Sequence, residues 1–149
     1  MKAKHKHILI ELQEDVLPRV KARTELIARG NPEIPEDWII GERDENTIAR
    51  FFTDFAGSFL SDTGRKEMLD AEDTLIINLT EKEIERGTAN LQTTLLQTAE
   101  EYILSKWYNA LGDLQRGDYH EGQYQKKIRE WQYNSVQKMV VQPKYRPYF

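Results

Sequence analysis

The side chains in this sequence that could do chemistry are few, and their spacing argues against most reactions. There are three histidines, His5, His7 and His120. His5 and His7 stand two apart, so on a helix they point to different faces and cannot form the i, i+4 ligand pair of a zinc-protease helix. Near the N-terminus, among Lys2, Lys4 and Lys6, they read as solvated groups. His120 has Asp118 and Glu121 beside it but no second imidazole or thiolate, which is a weak metal signal. There is no cysteine, which rules out disulfides, zinc–thiolate sites and thiol catalysis.

Carboxylates cluster at Glu11/Glu14/Asp15, at Asp70/Glu72/Asp73 and at Glu100/Glu101. Acid–base catalysis needs carboxylates in contrasting environments around a cleft. The sequence offers no such contrast, and amphipathic helices carry acids on their wet faces in any case. Asp70–Asp73 lacks the glycine and terminal glutamate of a calcium loop. No phosphate loop or dinucleotide fingerprint is present, and Ala56-Gly57-Ser58 lacks the second glycine of a nucleophile elbow. Arg116-Gly117-Asp118 spells a cell-adhesion tripeptide, a match too short to carry weight. The expectation is a protein that is not an enzyme, with no catalytic residue, no metal site and no cofactor.

The elements that would position any site read as helical. Ile8, Leu9, Leu12 and Val16 predict a first helix from about His7, interrupted at Pro18 and stopped at Gly30-Asn31-Pro32. Residues 31–44 read as a loop with two prolines, in which Trp38-Ile39-Ile40 plugs back onto the body. Asp44 or Asn46 then caps a helix whose Ile48, Phe51, Phe52, Phe55 and Phe59 share one face, a core stripe. A short helix over Arg65–Asp73 follows, and Thr74–Leu79 reads as extended rather than helical.

Thr80-Glu81-Lys82-Glu83 is a capping box, with Leu79 and Ile84 placed as a hydrophobic staple. From it a long helix is predicted to about Leu111, with Gly87 either weakening it by about 1 kcal/mol against Ala or permitting close packing. Gly112–Gly122 reads as a turn, and Tyr124, Ile128, Trp131, Ser135 and Met139 predict a last helix over 123–140. The fold class is therefore all-α, a helical bundle centred on a long antiparallel hairpin of about 80–111 and 123–140. A single helical domain, 1–141, is followed by an extended C-terminal arm, 142–149.

That arm, Gln142-Pro-Lys-Tyr-Arg-Pro-Tyr-Phe149, is pre-extended by its two prolines, so docking costs it less entropy. Tyr145, Tyr148 and Phe149 are candidate anchors for a partner, and Lys144 and Arg146 supply charge. All seven tyrosines lie at or after position 102, and Tyr is enriched at protein interfaces.

Charge is uneven. Residues 1–30 hold seven Lys/Arg against four acids (+3), residues 31–86 six against fifteen (−9), and residues 87–149 eight against six (+2). An acidic middle with basic ends suits self-complementary assembly. Lys126, Lys127 and Arg129 lie beside Trp131, but a dedicated nucleic-acid reader would be basic overall, so at most non-specific DNA proximity is expected. Apolar runs are only a few residues long, so no membrane span or signal peptide is expected.

The stretch Thr93–Leu111, then a loop, then Tyr124–Val140, resembles the helical head–tail connector (adaptor, or neck-ring) proteins of tailed bacteriophages. Tyr102, Trp107, Tyr124, Ile128 and Trp131 fall where that family's aromatic pattern wants them, and the likeness covers about 80–149. It implies a homo-oligomeric ring in the virion neck, between portal and tail components, with helices packed side by side. The candidate subunit interface is then Tyr102, Trp107, Tyr108, Tyr124, Trp131 and Tyr133. It also implies a role for the acidic middle, with Glu42, Asp44 and Glu45 as a candidate acidic surface along a DNA passage. The alternative is a small soluble helical interaction or regulatory module with no virion role.

Overall fold

The computed structural model describes residues 7–65 and 73–135. It is a mostly helical bundle with one two-stranded sheet. In chain order come β1 (His7–Glu11), a single π-helical turn (Leu12–Val16) and α1 (Leu17–Arg29). Two 3-10 turns (Glu36–Trp38 and Glu42–Asp44) lead into α2 (Glu45–Asp62). Then come β2 (Thr74–Asn78), α3 (Glu81–Arg86), α4 (Thr88–Ala110) and α5 (Leu114–Ser135).

The first helix expected from His7 is a strand as far as Glu11. Ile8 and Ile10 are buried while His7 and Leu9 are less so, a period of two. Ile8 pairs with Ile77 and Ile10 with Leu75 in antiparallel register, and Leu12 N–H continues the ladder to the Asp73 carbonyl at 2.8 Å. The apolar spacing of this segment fits a helix equally well; the strand wins because β2 supplies backbone partners more than sixty residues away. Thr74–Asn78 is extended, as its β-branched composition predicts. Pro18 lies in the first turn of α1, where its missing N–H costs nothing.

The capping box forms. Thr80 Oγ1 accepts from Glu83 N–H at 3.2 Å, and a Glu83 carboxylate oxygen accepts from Thr80 N–H at 3.0 Å. The helix it starts is not continuous, however. Gly87 takes φ 108°, a conformation strained for any residue with a Cβ, and separates α3 from α4. The Gly112–Gly122 turn is also shorter than expected, for α5 already begins at Leu114. Asp113 caps it through Arg116 N–H at 3.1 Å, and Gly117 lets α5 pass close to Asn109. A Cβ at 117 would collide with the Asn109 amide. The part of the last helix expected over 136–140, and most of the short helix expected over 65–73, lie outside the described residues.

α4 and α5 form the antiparallel hairpin. Tyr108 stacks with His120, Tyr102 meets Tyr124 edge-on, and Trp131 donates to Thr98, so successive partners run in opposite chain directions. The Phe stripe of α2 packs on this hairpin. Phe55 lies within 6.4 Å, ring to ring, of Phe52, Phe59, Tyr102 and Tyr124, and Phe59 meets Trp131 at 5.2 Å. β1 and α1 pack against α4 as well, so α4 is the central element. The proline-containing loop does plug back. Ile40 is buried, its N–H donates to Thr24 Oγ1 at 3.0 Å, and the Trp38 carbonyl accepts from Trp107 Nε1 at 2.9 Å.

Candidate functional site

Five of the six aromatics expected at a subunit interface lie in this chain's own core. Tyr102, Trp107, Tyr108, Tyr124 and Trp131 are buried, and only Tyr133 is exposed, at 59 %. Three of them have their polar tips held inside as well. Trp107 Nε1 donates to Trp38, Trp131 Nε1 to Thr98 Oγ1 at 3.2 Å, and Tyr124 O–H to Asp62 at 3.1 Å with Ser58 alongside. Thr98 in turn donates to the Thr94 carbonyl. With both ring and polar end enclosed by their own chain, these aromatics offer little surface to a neighbour. Burial, followed by the Asp62 charge, pushes the Tyr124 hydroxyl far up, so it stays protonated.

The expected acidic surface divides. Glu42 is exposed. Asp44 is half-buried; it accepts from Gly41 N–H at 2.9 Å, capping the 3-10 turn instead of α2, and lies 3.7 Å from Arg43. Glu45 pairs with Lys21 at 3.1 Å. The arm residues Lys144, Tyr145, Arg146, Tyr148 and Phe149 lie outside the described residues.

The densest polar constellation is one that sequence reasoning missed. Glu100 and Glu101, expected on a wet helix face, meet Arg19 and Arg23 of α1 and His120 of α5. Arg23 donates to Glu100 Oε1 at 2.8 Å and to Glu101 Oε2 at 3.2 Å; Arg19 bonds the other oxygen of Glu100. His120 Nδ1 meets Glu101 Oε1 at 2.7 Å. Glu100 is 2 % exposed and His120 3 %. His120 sits on a helix, stacked on Tyr108, not in a loop. The signal that was available is the composition of α4 from Leu95 to Tyr108: apolar residues recur on nearly every side, so an acid there has to go inside and bring cations with it.

Electrostatically the cluster is balanced. Burial works against the Glu101 charge, but the His120 hydrogen bond and the Arg23 guanidinium outweigh it and hold Glu101 below the usual carboxylate range. A lowered folded-state value means that this contribution to stability is complete above the unfolded value and disappears as pH falls through the folded one. Acid titration of the urea midpoint from pH 7 to pH 3 will therefore destabilise the native protein more than Glu101→Gln. Equal slopes in the two proteins would show that Glu101 contributes nothing.

Chemically the cluster ties α1 to the hairpin. Among the described residues no group of three His, Asp or Glu side chains is placed to hold a metal ion, and no helix is long and apolar enough to cross a membrane. Compared with family models, with curated proteins and with solved structures, the chain matches none.

Proposed function

We propose that this chain is a structural virion subunit, a head–tail connector (adaptor) that acts as one copy of a homo-oligomeric ring between portal and tail and catalyses no reaction. One observation carries the reading. The α4–α5 hairpin places Tyr102, Trp107, Tyr124, Ile128 and Trp131 in the core, the positions through which the sequence resembles that family. The hairpin is clamped on one side by the Arg19/Arg23–Glu100/Glu101–His120 cluster and on the other by the Phe stripe. A stiff rod held in this way suits a load-bearing ring component. On this reading ring contacts fall to exposed side chains such as Tyr133 and to the basic, aromatic arm, while the buried aromatics keep the rod rigid. The acidic residues around Glu42 would face the DNA passage and discourage sticking.

The test is light scattering on the purified full chain, alone and mixed with portal and tail proteins, beside a chain ended after Val141. The expected outcome is a discrete multiple of the monomer mass for the full chain and loss of assembly, with an unchanged fold, for the shortened one. A protein that stays monomeric in every mixture overturns the reading and favours a small interaction module.

A further inference from the structure

Between α1 and the first turns of α5 lies an open cleft of about 510 Å³, within the roughly 300–1,000 Å³ typical of small-molecule sites. Arg23, Leu26, Ile27, Arg116, Tyr119 and His120 line it, and no carboxylate does. We propose that this cleft binds a small anion carrying a flat ring and a hydroxyl or amino group. Nucleoside monophosphates and aromatic hydroxy acids share that chemistry. The inference does not depend on the virion reading.

The charge layout selects an anion. Both guanidiniums have acidic partners, but the acids sit behind them. The Arg23 side chain is 34 % exposed against 3 % for Glu100 and 13 % for Glu101, and Arg116 is 30 % exposed against 14 % for Asp113. The cations thus face the opening in an otherwise acidic protein. Among the described residues the side chain of Arg116 bonds only to Asp113, through Nη1 at 2.5 Å. Its Nε and Nη2 donors remain for a phosphate or carboxylate oxygen.

The ring follows from exposed apolar surface. Leu26 and Tyr119, 62 % and 61 % exposed, are two of the large hydrophobic side chains left in water among the described residues, and both border this cleft. A flat ring laid against Tyr119 and Leu26 would remove that surface from solvent. A polar group follows from His120. Its Nδ1 is engaged with the Glu101 carboxylate at 2.7 Å, which leaves Nε2 as the ring nitrogen a ligand can meet. No fully buried polar side-chain atom among the described residues lacks a partner, so Nε2, which makes no hydrogen bond there, is not sealed off, and His120 is one of the residues that line the cleft.

Calorimetric and amide-shift titrations of the full chain test this with adenosine monophosphate and 4-hydroxyphenylacetate as probes, and adenosine and inorganic phosphate as single-feature controls. At least one probe should saturate, with shifts centred on Leu26, Tyr119 and His120, and each control should bind at least about tenfold more weakly. Saturation by adenosine monophosphate alone assigns a nucleotide; saturation by 4-hydroxyphenylacetate alone assigns an aromatic acid. Tyr119→Ala and Arg116→Gln should each weaken binding by about tenfold. The wild-type shift pattern locates the site even if a variant folds poorly. The proposal fails if neither probe saturates by about 10 mM, if the shifts map elsewhere, or if inorganic phosphate binds as tightly as the ring-bearing probes.

Discussion

Phe55→Ala is expected to cost about 3–5 kcal/mol, the range for removing a buried phenylalanine. Phe55 is fully buried and its ring has four aromatic neighbours, Phe52, Phe59, Tyr102 and Tyr124, contributed by α2, α4 and α5. Alanine would leave a void walled by rings that cannot collapse into it. The Tyr124 hydroxyl is held by Ser58 and Asp62, and Phe59 is held edge-on by Trp131. Urea unfolding should show the loss as a lower midpoint at constant slope. Phe51→Ala, on the half-buried flank of the same helix, should cost clearly less. A loss below about 1 kcal/mol for Phe55 would mean that this stripe is not the core.

Glu83→Ala is expected to cost about 3–4 kcal/mol, well above an ordinary helix cap. Glu83 is entirely buried and does two things at once. One carboxylate oxygen receives Thr80 N–H, and the other receives the Arg65 guanidinium, whose side chain is only 11 % exposed. Arg65 also donates to the Asn78 carbonyl at 3.0 Å and lies over the rings of Trp131 and Phe59. The residue thus joins the end of β2, the start of α3 and the far end of the hairpin. Removing it deprives a largely buried cation of this carboxylate as well as breaking the cap. Thr80→Ala isolates the cap and should cost about 1 kcal/mol. Equal costs for the two variants would show that the Arg65 pair adds nothing.

Where local chemistry alone decides, the sequence was readable. The Phe stripe of α2 and the capping box at Thr80 depend on neighbours within a few residues, and both are present; the extended character of Thr74–Asn78 was readable as well, but its strand partner was not. The loop at 31–44 was readable too, because Pro32 and Pro35 prevent a continuous helix from running through it and Trp38-Ile39-Ile40 carries apolar surface that favours burial. Segments whose apolar spacing fits two periods were misread. Ile8, Leu12 and Val16 line one face of a helix while Ile8, Ile10 and Leu12 line one face of a strand, and only pairing with β2 selects between them. Glycines were ambiguous for a related reason. Gly87 breaks a helix at positive φ, whereas Gly117 sits inside one, where the Asn109 side chain that α4 brings alongside leaves no room for a Cβ.

The amino-acid sequence by itself determined a helical protein without cysteine chemistry, whose two-proline loop had to fold back and whose aromatics had to find partners. Only the tertiary structure decided which aromatics those partners leave exposed, and that Glu100 and His120 are interior residues held by Arg19, Arg23 and Glu101. Periodicity records how residues recur along one element. A buried ion cluster exists only where three elements meet, because each charge enters the core on the condition that its partners arrive from the other two.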